Sequence, residues 1–294
     1  MHIPVLLEEV ITKLNPQKGE VWIDGTLGGG GHTIALAEKI GNEGMVIGLD
    51  ADSDAIRRVE DRIKKEKKKE WAKIICVQCN FSEMESVLIQ KKITRVDGIL
   101  LDLGFSSYQI EEAERGLSFI HEGPLDMRYD STKGITAAMI VNGAREEELI
   151  KIFRDYGEER QAFRIAHAIT MERRIKKFET TRELAEYVVR AIGKRGRIHP
   201  ATKIFQALRI AVNDELGHLQ TFLTTLPKIV RSGGRAGIIA FHSLEDRIVK
   251  NAFREIVKNG KGLLITKKPI APSRNEQRIN PRSRSAKLRV ITIF

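Results

Sequence analysis

The chain has 294 residues, 41% hydrophobic and 30% charged, enough apolar content for one large core or two modest ones. It contains no uncharged apolar run of the roughly 18 residues that a membrane-spanning helix requires, and its first residues, Met1-His2-Ile3-Pro4, lack the basic and apolar regions of a signal peptide. A cytoplasmic protein is the expectation.

The formal net charge of +11 is unevenly spread. Residues 1–112 hold 15 Lys+Arg against 19 Asp+Glu, residues 113–210 hold 19 against 14, and residues 258–294 hold 10 against 1. The positive field therefore lies outside an acidic N-terminal part, which points to a polyanionic partner such as nucleic acid. The run Lys64 to Glu70 reads more simply as the solvated end of a helix.

In chain order, Val21-Trp22-Ile23 is a short apolar strand ending at Asp24 and a glycine cluster, and His32 to Ile40 reads as a helix. Met45 to Leu49 is a second strand ending at Asp50, followed by a helix over Ser53–Lys69 with Asp52 or Ser53 as its N-cap. Residues 74–79 form a third strand, and Val96 to Leu101 a fourth ending at Asp102. This alternation predicts a parallel, doubly wound sheet. Cys76 and Cys79 sit three apart on the third strand, which turns their thiols to opposite faces, and no second pair completes a zinc set.

The rhythm then breaks. Residues 113–210 show helical patterns over 145–156, 158–174, 181–192 and 202–216 but no buried strand, and the next strand begins only at Ala236. An ordinary crossover is far shorter, so an inserted helical domain is expected at 113–210, between a first part at 1–112 and a second at 211–294. A helix near 216–230, the fifth strand at 236–241, a helix over 243–257 and strands at 262–266 and 288–294 complete the chain. Lys267–Lys287 reads as a basic loop.

Three acids and a glycine loop fall at the carboxyl ends of strands, where doubly wound sheets bind ligands. Asp24-Gly25-Thr26-Leu27-Gly28-Gly29-Gly30-Gly31-His32 lets backbone approach a ligand and opens a helix whose free N–H groups face it. Asp50 stands where dinucleotide-type folds bind a ribose. Phe81, after the third strand, could lie against an adenine ring. Nicotinamide dinucleotides and S-adenosylmethionine share these features, although G-x-G-x-x-G is not met and the P-loop pattern is absent. A nicotinamide dehydrogenase and a non-catalytic RNA-binding assembly protein are the rival readings. His32, His199 and His242 lack ligand spacing, so no metal is expected. His242 with Glu245, Asp246 and Arg247 follows strand five and reads either as a pocket wall or as a capped helix start.

Over nearly its whole length the chain resembles the bacterial 16S ribosomal RNA (cytosine-N4) methyltransferases. The stretches that carry this are His2 to Leu7, Asp24 to His32, Asp97 to Ser107, Glu114 to Phe119, Gly123 to Arg128, Tyr156 to Arg160, His199 to Ile210 and Phe241 to Lys250. The resemblance implies a Rossmann-like class I methyltransferase sheet with an inserted all-helical substrate-recognition domain. It implies S-adenosylmethionine as cofactor, held by Gly30, Gly31, His32, Asp50, Phe81, Asp102 and Gln109. It also implies a cytidine in the decoding region of 16S rRNA or the small ribosomal subunit as target, with no membrane or DNA partner. Asp102 is the catalytic candidate; it and nearby backbone carbonyls are the candidate acceptors near the N4 amine, and Phe105 or Tyr108 could stack on the base. Thr26 stands where class I enzymes usually place a glycine, and Asp102-Leu103-Gly104-Phe105 lacks the two prolines common in amino-methyltransferases. The basic stretches expected to meet RNA phosphate are Lys258–Arg289, Arg173 to Lys177 and Lys194 to Arg197.

Overall fold

The computed structural model describes residues 4–66, 68–104, 112–193 and 199–294. The chain divides into two compact units, residues 1–104 with 216–294, and residues 105–215.

The first unit is built on seven strands in the order β3-β2-β1-β4-β5-β7-β6. They are β1 (Val21–Asp24), β2 (Met45–Asp50), β3 (Lys73–Gln78), β4 (Val96–Asp102), β5 (Val230–Ala240), β6 (Gly262–Leu264) and β7 (Lys287–Ile293). The first five are parallel and β7 runs antiparallel between β5 and β6. Strand order reverses beside β1, where β4 pairs on one side and β2 on the other, so the carboxyl ends of β1, β2 and β4 border the topological switch point. This is the doubly wound, Rossmann-like sheet expected.

Both faces of the sheet are buried, and the pleat sorts its residues. Ile23, Ile47, Leu101 and Ile238 join one core cluster, while their neighbours Trp22, Val46, Leu100 and Ile239 join the other. Near-continuous apolar strands follow from that two-sided burial. The covering helices are α1 (Leu7–Leu14), α2 (Gly31–Ile40), α3 (Ser53–Glu66) and α4 (Met84–Gln90) in the first segment. In the second unit come α5 (Ala137–Gly143), α6 (Glu146–Asp155), α7 (Ala162–Glu172), α8 (Thr181–Ile192) and α9 (Ala201–Asn213). The first unit resumes with α10 (Glu215–Ile229), α11 (Ser243–Lys258) and α12 (Arg274–Ile279).

Several elements differ from the sequence reading. Helices α1, α4 and α5 are short, and α1 lies between two left-handed residues, Leu6 and Asn15, instead of conventional capping residues. Helix α3 stops at Glu66, before the lysine-rich run ends. Its N-cap is Asp52, whose Oδ1 accepts from Asp54 N at 2.9 Å. Strand β5 starts six residues early, because a register shift between Val96 and Gly98 admits the turn-like Arg231 to Arg235 into the strand. The basic loop holds α12, started by Ser273, whose Oγ accepts from Glu276 N at 3.1 Å.

The second unit packs its helices around Leu149, Phe153, Ile165, Ile169, Leu184, Val188, Ile204 and Leu208. Its described residues contain no strand beyond an isolated bridge between Pro124 and Thr180. Thr136 and Thr180 start α5 and α8 by accepting from Met139 N and Glu183 N. The unit's chain limits differ from the expected 113 and 210. At the second limit, α9 continues unbroken to Asn213 and ends at the left-handed Asp214. There Glu215 accepts from Arg209 Nε at 2.7 Å and from Tyr129 Oη at 2.9 Å. No described helix is long and apolar enough to cross a membrane.

Candidate active site

The site grows from the carboxyl end of β1. Asp24 is buried, and its Oδ2 accepts from Thr33 Oγ1 at 2.6 Å while Oδ1 accepts from Thr26 N at 3.2 Å. The carboxylate thus ties the glycine loop to the first turn of α2. Gly28 and Gly30 hold φ of +51° and +74°, which side chains rarely adopt. A Cβ on Gly30 would stand 2.9 Å from Val59 Cγ1, and one on Gly31 would stand 2.3 Å from Pro4 Cγ. At these two positions the chain's own packing, before any ligand is considered, already demands glycine.

Asp50 ends β2 and bends the loop from the other side. Its Oδ2 accepts from Gly28 N at 2.8 Å and its Oδ1 from Asp52 N at 2.9 Å. Desolvation pushes its pKa up to about 6 despite those two bonds. Each oxygen keeps a second lone pair for a hydroxyl donor.

Asp102 ends β4. Its backbone N–H donates to Thr26 Oγ1 at 2.6 Å, so the residue standing in place of the usual glycine joins the two loop crests. The sequence reading registered Thr26 only as a departure; a hydroxyl two residues after Asp24 was the available signal. The Asp102 side chain has Oδ2 at 3.7 Å from His32 Nδ1, while Oδ1 is buried with no hydrogen-bond partner among the described residues. Burial, then Asp24 and Glu245, hold its carboxyl well above the usual range. His32 is buried, which lowers its pKa, and its Nε2 meets the Val5 carbonyl at 3.0 Å.

Phe81 opens a short 3₁₀ turn (Phe81–Glu83) capped by Asn80, and packs half-buried, edge-on to Phe222, with ring centroids 6.1 Å apart. Beside it Ser82 Oγ and His218 Nδ1 lie 3.0 Å apart, a pair that the sequence reading missed. The structure therefore gathers Gly30, Gly31, His32, Asp50 and Asp102, with Phe81, along the carboxyl edge of one sheet. Gln109, Phe105 and Tyr108 lie outside the described residues, as do His2, Ile3 and Lys194 to Arg197.

The other expected features find local roles. His242 caps α11, with Nδ1 accepting from Glu245 N at 3.4 Å, and Glu245 Oε2 accepts from Phe241 N at 2.8 Å. In the second unit His199 packs against Phe119 at 4.7 Å between ring centroids. Cys76 and Cys79 are free, half-buried thiols, each pushed up by burial to about 11, which suits inert side chains rather than nucleophiles. Arg289 falls within the stretch expected to meet RNA phosphate, but it is buried and donates from Nε to Asp246 Oδ1 at 2.7 Å, with Lys287 on the same carboxylate. Arg173 likewise turns inward to the Val141 carbonyl at 2.8 Å. Lys267, Lys268, Arg274, Arg278, Arg282 and Arg284 are exposed.

The profile of the MraW methylase family matches residues 1–294. A protein named ribosomal RNA small subunit methyltransferase H from Elusimicrobium minutum is 46% identical over 290 residues, covering 98% of this chain and 97% of that one. The protein of the same name from Clostridioides difficile is 42% identical over 307 residues, covering 98% and 97%. Among solved structures, an rRNA methylase from Streptococcus thermophilus covers 100% of this chain and 99% of its own at 9% identity and a TM-score of 0.43, a likeness too distant to add to the argument.

Proposed function

The chain belongs to the MraW methylase family, and on that premise we propose that it transfers a methyl group from S-adenosylmethionine to the exocyclic N4 of a cytidine in 16S ribosomal RNA. The target we propose lies in the decoding region, presented as free RNA or within the small ribosomal subunit. The observation that carries this reading is the Asp102 carboxyl, part-buried at the switch point, whose Oδ1 is buried and has no hydrogen-bond partner among the described residues.

The residues present fit the methyl donor. Asp50, half-buried with spare lone pairs, suits ribose hydroxyls; Phe81 offers a ring edge and face to adenine; Gly30, Gly31 and His32 line the start of α2. The carboxyl oxygens of Asp24, Asp50 and Asp102 gather acceptor atoms along the edge, and a sulfonium cation arriving there would favour the ionised form of Asp102. Gln109 completes the proposed set from outside the described residues. When bound, the donor supplies an electrophilic methyl group on sulfur.

The protein's part is positioning and proton handling. The N4 lone pair is delocalised into the ring, so the amine attacks well only when an acceptor draws its N–H and favours the pyramidal form. Asp102, with nearby backbone carbonyls, is the acceptor this reading proposes. Its raised proton affinity suits it to take the proton that N4 sheds as nitrogen gains carbon. The exposed Lys267, Lys268, Arg274, Arg278, Arg282 and Arg284 would hold RNA phosphates, giving affinity and orientation with little sequence information.

The decisive experiment incubates the protein with labelled donor and undermodified small subunits, then maps the methylated nucleotide by mass spectrometry. Label on a cytosine N4 of 16S rRNA is expected. Label on another base or on protein, or calorimetric binding of NAD in preference to S-adenosylmethionine, would refute the reading.

A further inference from the structure

The stretch Pro4–Leu6 carries a segment of the family resemblance but supplies none of the residues proposed to hold the donor in the site described above. It nevertheless touches that site twice. Pro4 Cγ occupies the space beside Gly31, 2.3 Å from where a Cβ would stand. The Val5 carbonyl meets His32 Nε2 at 3.0 Å. A carbonyl only accepts, so Nε2 carries the hydrogen. In the neutral ring Nδ1 is then the bare nitrogen, and it is Nδ1 that faces Asp102 Oδ2 at 3.7 Å.

The strap is held from the far end of the chain. Leu6 N donates to Glu276 Oε1 at 2.8 Å, across 270 positions. Leu6 is fully buried and left-handed, with φ of +54°, a conformation that persists only where the surroundings enforce it. Glu276 is the only acid among residues 258–294, and the same short helix turns Arg274 and Arg278 to solvent. One helix thus presents cations outward and a carboxylate to the strap.

We propose that Glu276 is a positioning residue: by pinning Pro4–Leu6 it keeps the Val5 carbonyl on His32 Nε2 and so keeps Nδ1 bare toward Asp102. The proposal rests on the reading of Asp102 as proton acceptor. A bare Nδ1, 3.7 Å from Asp102 Oδ2, turns its lone pair toward the carboxyl and so favours proton uptake there. An Nδ1–H would instead favour the ionised carboxylate and make Asp102 a weaker base. Releasing the strap frees the ring to exchange tautomers, and the base weakens without any change in the RNA-binding surface.

The test compares full-length wild type, Glu276→Ala and Glu276→Gln. Glutamine keeps an oxygen to accept from Leu6 N. Nitrogen-15 NMR of His32 without donor reads the tautomer; kcat, the KM for undermodified subunits and the pH–rate profile read the chemistry. The wild type is expected to hold the Nε2–H form. Glu276→Ala should mix tautomers and lower kcat about tenfold, a part of the roughly 10²–10⁴-fold that a positioned general base supplies, with RNA KM little changed. The acid limb of its pH–rate profile should move to lower pH, and Glu276→Gln should restore all three. An unchanged His32 tautomer in Glu276→Ala, a loss confined to KM, or a glutamine variant as poor as alanine would overturn the proposal. If Glu276→Ala does not fold, Glu276→Asp, whose carboxylate is one methylene short, takes its place. If the wild type methylates no ribosomal RNA, the functional reading falls while the tautomer measurement still decides the role of Glu276.

Discussion

Asp102 Oδ2 and His32 Nδ1 stand 3.7 Å apart, and burial drives the two groups in opposite directions, the carboxyl upward and the imidazole downward. Both therefore favour their neutral forms, the cheaper arrangement for two groups held out of water. A cation arriving beside them would reverse that preference for Asp102, so occupation of the site and ionisation of its base are coupled.

Asp50 couples pH to donor binding. Its folded pKa of about 6 lies above the unfolded value of 3.8, so its contribution to stability is full below the unfolded value and is lost as pH rises through about 6. Donor affinity should run the other way, tightening as the carboxylate ionises through the same range. Asp50→Asn should flatten that profile and weaken binding by about 1–3 kcal/mol, since one amide oxygen must serve two backbone donors. Calorimetry on either side of pH 6 checks it; a wild-type profile without an inflection there would contradict the assignment.

Thr26 is expected to matter through its hydroxyl alone. Thr26→Val keeps the shape but leaves the Asp102 amide without its acceptor, at a cost of about 1–3 kcal/mol. Thr26→Ser should stay within about 1 kcal/mol of wild type because the acceptor survives. Equilibrium urea unfolding of the pair measures the difference, and equal midpoints for valine and serine would show that the hydroxyl is dispensable.

Gly30→Ala combines a left-handed backbone with a contact 2.9 Å from Val59 Cγ1. Strain and overpacking together should cost about 2–4 kcal/mol. Val59→Ala in the same chain should recover the contact part and leave the backbone part. A melting temperature for Gly30→Ala equal to wild type would show that the loop has freedom to shift.

The basic C-terminal segment divides into two classes of cation. Neutralising exposed Lys267, Lys268, Arg274 and Arg278 should weaken RNA binding and flatten its dependence on salt, with donor affinity intact. Arg289→Ala should instead destabilise the protein by about 1–3 kcal/mol, because it leaves the partly buried Asp246 carboxylate with Lys287 alone, at 3.4 Å. Arg289 holds Asp246 below its usual pKa, so this contribution exists above the unfolded value and is lost as pH falls through the folded one. Affinity across a salt series and unfolding at two pH values separate the classes. An unchanged salt slope for the fourfold variant would place the RNA path elsewhere.

Local chemistry made much of this protein legible in advance. Strands β1, β2 and β4 carry apolar runs bounded by an acid, because both sheet faces are buried and each strand ends at a ligand-facing edge; Asp24, Asp50 and Asp102 mark those ends. The overlong connection after β4 raised the expectation of an inserted domain on a separate ground, because a crossover has no use for so many helical residues. What depended on partners far apart in the chain was invisible. β7 enters between β5 and β6, α12 interrupts an apparent loop, and Arg289 is an internal ion pair within a stretch that reads as uniformly basic. Thr26 looked like a flaw in a motif until β4 brought the Asp102 amide to its hydroxyl. The strap at Pro4–Leu6 shows the physical reason most directly. Its left-handed Leu6 opposes local backbone preference, and the contacts that accompany that conformation, a carboxylate 270 residues away on Leu6 N and a buried histidine on the Val5 carbonyl, come from outside the segment.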